Sequence, residues 1–163
     1  MKAIVYTSNT GHTAAYAEIL GKKTGLPVYS LDEAKGQLEK GTPIIYMGWL
    51  FANSLKGYRK AAKRFDVRAV CGVGLCDTGC LLDEVRRAIS LPETIPLFTM
   101  QGGIDKTRLR GINRFMIRML MKMLRDKKER TEEDERMLAL LETDANYVDE
   151  KHTAAFMEWY TAN

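Results

Sequence analysis

The stretch from Ala3 to Leu20, AIVYTSNTGHTAAYAEIL, decides the fold of this chain. Its first residues, Ala3 to Tyr6, form a short apolar run that predicts a buried strand. Residues 7–13 are mostly hydroxyl and amide side chains, and Gly11 among them lets the backbone turn tightly. Apolar residues then recur at helical spacing as far as Leu20. The stretch therefore predicts a strand, a polar turn and a helix in direct succession.

The polar turn predicts a phosphate-binding site. Backbone N–H groups at the start of a helix, together with the helix dipole, favour an anion without any Lys or Arg. The predicted phosphate-binding residues are Ser8, Asn9, Thr10, Gly11, His12 and Thr13. We expect the His12 side chain to point outward while its backbone N–H faces the anion.

The same stretch resembles the flavodoxin signature, a pattern of aliphatic and aromatic strand residues, a hydroxyl-rich loop and small or aliphatic helix residues. Its fixed positions are filled here by Ile4, Val5, Tyr6, Ser8, Gly11, Thr13, Ala17 and Leu20. Agreement in register across three elements is more specific than a glycine-rich turn alone. The resemblance implies a flavodoxin-like fold with FMN as cofactor. The loop suits one terminal phosphomonoester and there is no GxGxxG pattern, which favours FMN over FAD or a nicotinamide.

The rest of the chain alternates between strand-like and helix-like segments. Strands are predicted over 2–7, 27–29, 43–48, 69–75 and 95–100, and helices over 12–23, 31–39, 55–65, 81–89 and 149–160. We therefore expect an α/β fold built on a doubly wound, five-stranded parallel sheet in the flavodoxin-like order 2-1-3-4-5. Residues 1–163 are predicted to form one domain, with 101–148 as a helical insertion between strand five and the last helix.

Two more loops are expected beside the phosphate site, because doubly wound sheets bind ligands beyond the carboxyl ends of their strands. The resemblance implies that they hold the flavin ring. Trp49 is interpreted as a ring-stacking residue, although it and Phe51 could instead belong to the core. The pair Gly74 and Asp77 matches the family's Gly-x-x-Asp pattern, whereas Cys80 stands where a second aromatic is usual. The predicted ring-loop residues are Gly48, Trp49, Leu50, Phe51, Ala52 and Asn53, followed by Gly74, Leu75, Cys76, Asp77, Thr78, Gly79 and Cys80.

Composition narrows the class of protein. The chain has 163 residues, of which 45% are hydrophobic, and no apolar stretch approaches the roughly 20 residues of a membrane span. With no secretory signal visible, a cytoplasmic protein is expected. The spacings between Cys71, Cys76 and Cys80 fit neither a zinc site nor a CxxC pair, so no metal is expected and the thiols are predicted to be reduced packing residues. No nucleic-acid partner is predicted.

The modest net charge of +4 conceals two opposed blocks, because residues 101–130 carry a net +7 and residues 131–163 a net −7. The blocks could neutralise each other across a surface, or the basic block could meet an anionic partner. Within the basic block, residues 110–125 predict an amphipathic helix. Its basic face comprises Arg110, Arg114, Arg118 and Lys122, and its apolar stripe comprises Ile112, Phe115, Met116, Met119, Leu120 and Met123.

Such a helix has two interpretations. It could lie on an anionic membrane, here at the inner face. It could equally bury its stripe on the domain and leave its charges in solvent, which is the commoner arrangement.

The segment from Gly102 to Met123 is also similar to the insertion of the flavodoxin-like, menaquinone-dependent protoporphyrinogen oxidases. Residues 113–117, NRFMI, and 121–123, MKM, carry this resemblance. It implies an FMN-dependent oxidoreductase that passes electrons from a reduced substrate, a porphyrinogen in that family, to a quinone. The flavin would do the redox chemistry, and no catalytic side chain is predicted.

An electron-carrier flavodoxin that docks redox partner proteins is the alternative function. Carriers of that family are usually strongly acidic, whereas the ring loops here contain one acid, Asp77. Acids near the ring disfavour the anionic reduced flavin, so their scarcity favours the enzyme.

Overall fold

The computed structural model describes residues 1–109 and 111–163 as a mixed α/β fold around a mostly parallel sheet. The strands are β1 (Ala3–Thr7), β2 (Val28–Ser30), β3 (Pro43–Phe51), β4 (Ser54–Leu55), β5 (Asp66–Gly74), β6 (Leu97–Gln101), β7 (Gly103–Ile104) and β8 (Ala145–Asn146). The helices are α1 (His12–Thr24), α2 (Leu31–Gln37), α3 (Tyr58–Ala62), α4 (Leu82–Ile89), α5 (Gly111–Asp126), α6 (Glu132–Glu142) and α7 (Ala154–Ala162), and a 3-10 turn at Glu150–Thr153 precedes α7. The predicted α/β class is confirmed.

The central sheet has six strands, so the predicted count of five is wrong. Its parallel strands lie in the order β2-β1-β3-β5-β6, and β4 pairs antiparallel with the end of β3. The predicted order 2-1-3-4-5 therefore becomes 2-1-3-5-6. The difference arises because β3 continues through Phe51 and the chain then turns back at Ala52 and Asn53, which both have positive φ. Such a turn matches the twist of two antiparallel strands.

Helices cover both faces of the sheet, which is why its strands read as apolar runs. Successive residues of β1 point to opposite faces. Ile4 packs in a cluster with Leu20 of α1 and Phe156 of α7, and all three are fully buried. Val5 packs on the other face in a cluster with Val85 of α4.

The segment between β6 and the final helix holds α5, α6 and the two-stranded ribbon of β7 and β8. It has a small apolar cluster of its own, in which Ile104, Leu109, Ile117 and Leu141 are buried. Phe51 of the hairpin packs against that cluster, so the segment is attached to the sheet edge. Among the described residues, no helix is long and apolar enough to cross a membrane.

The helix predicted over 55–65 is shorter, because Leu55 belongs to β4 and α3 begins only after Gly57. Gly57 has a φ of 84°, and a Cβ there would overlap the Tyr46 hydroxyl. That hydroxyl donates to the Lys56 carbonyl at 2.7 Å and lies 2.9 Å from the Thr7 hydroxyl, which can donate to it. A side chain at this position would separate the first turn of α3 from the sheet edge.

Gly57→Ala should therefore lower the free energy of unfolding by about 2–4 kcal/mol. The new Cβ would overlap the Tyr46 hydroxyl, and Ala is strained at the left-handed backbone conformation of this position. Gly36→Ala is the matched control, because Gly36 lies in α2 and a Cβ there meets nothing within 4 Å. That change should raise stability by up to about 1 kcal/mol. Urea unfolding measures both, and equal stability of the two variants would contradict the packing at Gly57.

Candidate functional site

The three predicted loops meet at one edge of the sheet, around a cavity of about 260 Å³. This meeting follows from topology, because β1, β3 and β5 are neighbours and run parallel, so their carboxyl ends lie side by side. The predicted residues that line the cavity are Ser8, Asn9, Thr10, His12 and Thr13, then Trp49, Leu50, Phe51, Ala52 and Asn53, then Gly74, Leu75 and Cys76.

The remaining predicted residues lie outside the cavity lining; they are Gly11, Gly48, Asp77, Thr78, Gly79 and Cys80. Gly11 lines a second groove, which Ser8 and Asn9 also line. Gly48 lies in β3 where the hairpin folds back, and a Cβ there would stand 2.7 Å from the Lys56 carbonyl oxygen. Thr78 and Gly79 are instead tied to β6, since Gln101 N–H donates to Thr78 Oγ1 at 3.0 Å and Gly79 N–H donates to Thr99 O at 3.1 Å.

The phosphate loop ends at the first turn of α1, a helix of 13 residues. Gly11 adopts a φ of 102° just before the helix, and its N–H donates to Ser8 Oγ at 3.2 Å. The first turn of α1 contains no acidic residue, so nothing on the helix itself offsets the positive end of its dipole. Thr13 is only 2% exposed and lines the cavity.

Two residues from the 101–148 segment reach this loop, and sequence reasoning did not place them there. A Cβ added to Gly11 would stand 2.7 Å from Arg108 Nη1, which puts a guanidinium beside the loop. Asn113 Nδ2 donates to Asn9 Oδ1 at 2.8 Å. About a hundred positions separate Arg108 from Gly11 and Asn113 from Asn9. The only signal of these contacts in the sequence was the basic character of residues 101–130.

The prediction that the His12 side chain points outward is wrong. The ring lines the cavity, and its Nδ1 lies 3.0 Å from Thr10 Oγ1. It packs against Gly103, where an added Cβ would stand 2.8 Å from His12 Nε2. Burial lowers the pKa of His12, although the carboxylate of Asp105 opposes that shift. The imidazole is therefore neutral at neutral pH.

Trp49 and Phe51 lie next to each other along the wall of the cavity. Their rings meet edge to face with centroids 6.1 Å apart. The ammonium of Lys56 lies 5.7 Å from the Trp49 ring centre and 5.3 Å from that of Phe51. Phe51 lines the cavity and also packs on the buried cluster of the insertion, so of the two roles that the sequence left open the structure bears on its part in the core.

The far wall of the cavity comes from the insertion. Apolar residues of β7, of the connection between β7 and α5, of α5 and of α6 complete the enclosure. These residues are Ile104, Leu109, Ile117, Leu120, Met137 and Leu141. The cavity is therefore polar at the α1 end and apolar toward the insertion, as a ligand with an anionic end and a flat apolar end requires.

Cys76 and Cys80 form a disulfide, so the prediction of reduced thiols is wrong for this pair. Their Cα atoms lie 6.4 Å apart because the chain turns tightly between them, with Cys80 N–H donating to Asp77 O at 3.2 Å. Cys71 is free and fully buried in β5, and burial raises the pKa of its thiol. The sequence analysis did not pair Cys76 with Cys80, because the turn that brings them together is held by hydrogen bonds between Thr78, Gly79 and strand β6.

Alkylation of protein purified without reductant should therefore label one cysteine, Cys71, after denaturation, and all three after reduction. Cys71→Ser is the control, because it should leave no reactive thiol in the unreduced, denatured protein. Mass spectrometry counts the labels. Three labels on the unreduced protein would contradict the pairing of Cys76 with Cys80.

No protein-family model, no curated protein and no solved structure matches this chain.

Proposed function

We propose that the chain is an FMN-binding oxidoreductase with a flavodoxin-like fold that passes electrons from a reduced substrate to a quinone. The main support is the convergence of the phosphate loop, the Trp49 hairpin and the end of β5 on one cavity. If the hairpin strand β4 is set aside, the parallel strands follow one another in the flavodoxin order 2-1-3-4-5.

The phosphate end of the cavity fits one phosphomonoester. The hydroxyls of Ser8, Thr10 and Thr13 line it, and the N-terminus of α1 adds backbone N–H groups. The guanidinium of Arg108 stands beside the same loop. Hydrogen bonds from such groups to a phosphate are charge-assisted, and these are the stronger kind.

The ring end of the cavity fits a flat, largely apolar group. Trp49 and Leu50 of β3 line it together with Ile117 and Leu120 of α5. Bound FMN would supply the electron storage at this position. The protein would orient the ring, exclude water from it and set its electrostatic surroundings.

Charges around the cavity favour an enzyme over an electron carrier. None of the described residues that line it is acidic. Asp77, the one acid of the ring loops, accepts from Arg136 Nη2 at 3.0 Å and from Gln101 Nε2 at 3.2 Å. With that carboxylate neutralised by α6, an additional negative charge on the flavin is less strongly opposed.

The resemblance of residues 113–117 and 121–123 to the insertion of the menaquinone-dependent protoporphyrinogen oxidases supports a quinone as acceptor and a porphyrinogen as donor. In the structure these residues belong to α5, the helix that closes the cavity. Steady-state assays with reduced porphyrin and with quinones test donor and acceptor separately, and activity with neither would leave only the FMN-binding part of the proposal.

Changing Ser8, Thr10 and Thr13 together to Ala should strip FMN from the protein. Each lost charge-assisted hydrogen bond costs about 1.5–3 kcal/mol, so the Kd should rise by more than about a thousandfold. Arg108→Ala should weaken binding by about tenfold or more for the same reason. Flavin fluorescence titration of the apoprotein measures each Kd.

A triple variant of Thr94, Thr143 and Thr161 to Ala is the matched control, because these residues are exposed and line neither the cavity nor the groove beside the loop. It should bind FMN as the unchanged protein does. Tight FMN retention by the loop variant would contradict the assignment of the phosphate site.

The lower of the two flavin midpoint potentials should be less negative than in acidic flavodoxins. Arg136→Gln should make it more negative, since it frees the charge of Asp77, and the double change Asp77→Asn with Arg136→Gln should restore it. Redox titration measures this potential in the FMN-loaded unchanged protein and in both variants. A potential as negative as that of an acidic carrier would favour the electron-carrier alternative.

A further inference from the structure

Helix α5 has two apolar faces, and only one of them packs on the protein. Ile117, Leu120 and Leu124 belong to the cluster that closes the cavity. Ile112, Phe115, Met119 and Met123 are instead 73%, 61%, 53% and 64% exposed. They are four of the six large hydrophobic side chains that are exposed among the described residues. The interpretation that the whole stripe is buried on the domain is therefore wrong for these four residues, which we call the outer stripe.

The outer stripe is continuous along the helix. Its members are separated by three, four and four positions, the spacing that keeps side chains on one face of an α-helix. Scattered apolar side chains on a surface are ordinary, but a contiguous row on one helix marks an interaction site.

A row of cations runs beside the outer stripe. Arg114, Arg118 and Lys122 recur every four residues and are all exposed. Among the described residues, none of the three has a carboxylate within ion-pair distance. Arg110, which the sequence places in the same row, lies outside the described residues. The helix thus presents apolar and cationic strips side by side, outside the core.

A basic groove of about 380 Å³ adjoins the same helix. Lys106, Arg114, Arg118 and Arg125 line it, over an apolar floor that includes Ile117 and Met121. Arg125 also pairs with Glu142 at 2.6 Å, which leaves the groove with a net positive charge. Its size and charge suit a phosphate-bearing group.

We propose that α5 docks the protein on an anionic lipid bilayer. The outer stripe enters the boundary between headgroups and acyl chains, and the cationic row and basic groove meet the lipid phosphates. The 16 residues of α5 make a helix about 24 Å long that lies in the plane of the surface. The outer stripe is a straight row of Ile, Phe and flexible Met side chains. Such a row suits the fluid apolar phase of a bilayer, because a fluid does not need to be shape-complementary to it.

Docking in this way would set the cavity close to the lipid phase. The inner face of α5 lines the cavity through Ile117 and Leu120, while the outer stripe would face the lipid. A lipid-soluble reactant would then reach the protein at the helix that encloses the site. The docking surface itself needs no flavin, so it can be tested on apoprotein.

Sedimentation with vesicles tests the proposal. The protein should pellet with vesicles of mixed phosphatidylglycerol and phosphatidylcholine at low salt, stay in solution with pure phosphatidylcholine, and be released at about 1 M salt. Each cation near an anionic surface contributes roughly a fivefold factor, so Arg114→Glu, Arg118→Glu and Lys122→Glu together should weaken partitioning by about 100-fold or more. Phe115→Ser with Met119→Ser should weaken it by about tenfold or more.

The matched control changes Lys22, Lys40 and Lys63 to Glu, which alters the net charge equally at exposed positions away from α5. It should still pellet, and far-ultraviolet circular dichroism should show every variant folded. The proposal is overturned if the unchanged protein ignores anionic vesicles, if the control loses binding as fully as the α5 charge variant, or if the Ser variant binds normally. Retention on immobilised polyglutamate without vesicle binding would assign the cationic row to an acidic protein instead.

Discussion

Parallel pairing of β1 with both β2 and β3 is the constraint on which the rest of the structure depends. Parallel strands require crossover helices, and those helices bury the sheet on both faces. Because β5 in turn pairs parallel with β3, the carboxyl ends of β1, β3 and β5 lie at one edge, so the loops after these strands have to meet there. The cavity is thus a consequence of topology, and the side chains of those loops decide what it can hold.

The insertion, residues 101–148, encloses the cavity that the loops after β1, β3 and β5 begin to form. Its buried cluster packs on Phe51 and closes the cavity, and Arg108 and Asn113 reach the phosphate loop from the same segment. A helix that encloses a site on its inner face is free to use its outer face for another purpose. In α5 that outer face is apolar and cationic. The proposed docking of this face on an anionic bilayer would therefore bring the cavity next to the lipid.

The interpretation that the opposed charge blocks neutralise each other applies to only some of their residues. Lys127 pairs with Asp134 and Arg125 with Glu142, so the acidic helix α6 neutralises the end of the basic block. Arg136 of α6 likewise neutralises Asp77 of the ring loop. The described cations in the middle of α5 have no such partner within ion-pair distance, because α6 packs against the inner face of α5 and leaves the cationic row in solvent.

The sequence by itself determined the features that arise from neighbouring residues. These are the strand, loop and helix around Gly11, the mostly parallel α/β class, and the amphipathic helix predicted over residues 110–125. Their periodicity and turn chemistry act over a few residues. Only the tertiary structure decided the β4 hairpin, the inward ring of His12, the Cys76–Cys80 pair, the approach of Arg108 and the split of α5 into two apolar faces. The β4 hairpin closes locally, through the left-handed backbone of Ala52 and Asn53, which no residue type there announces. The other four features depend on contacts between segments far apart in the chain, and which face of a helix is buried is a property of the packed molecule.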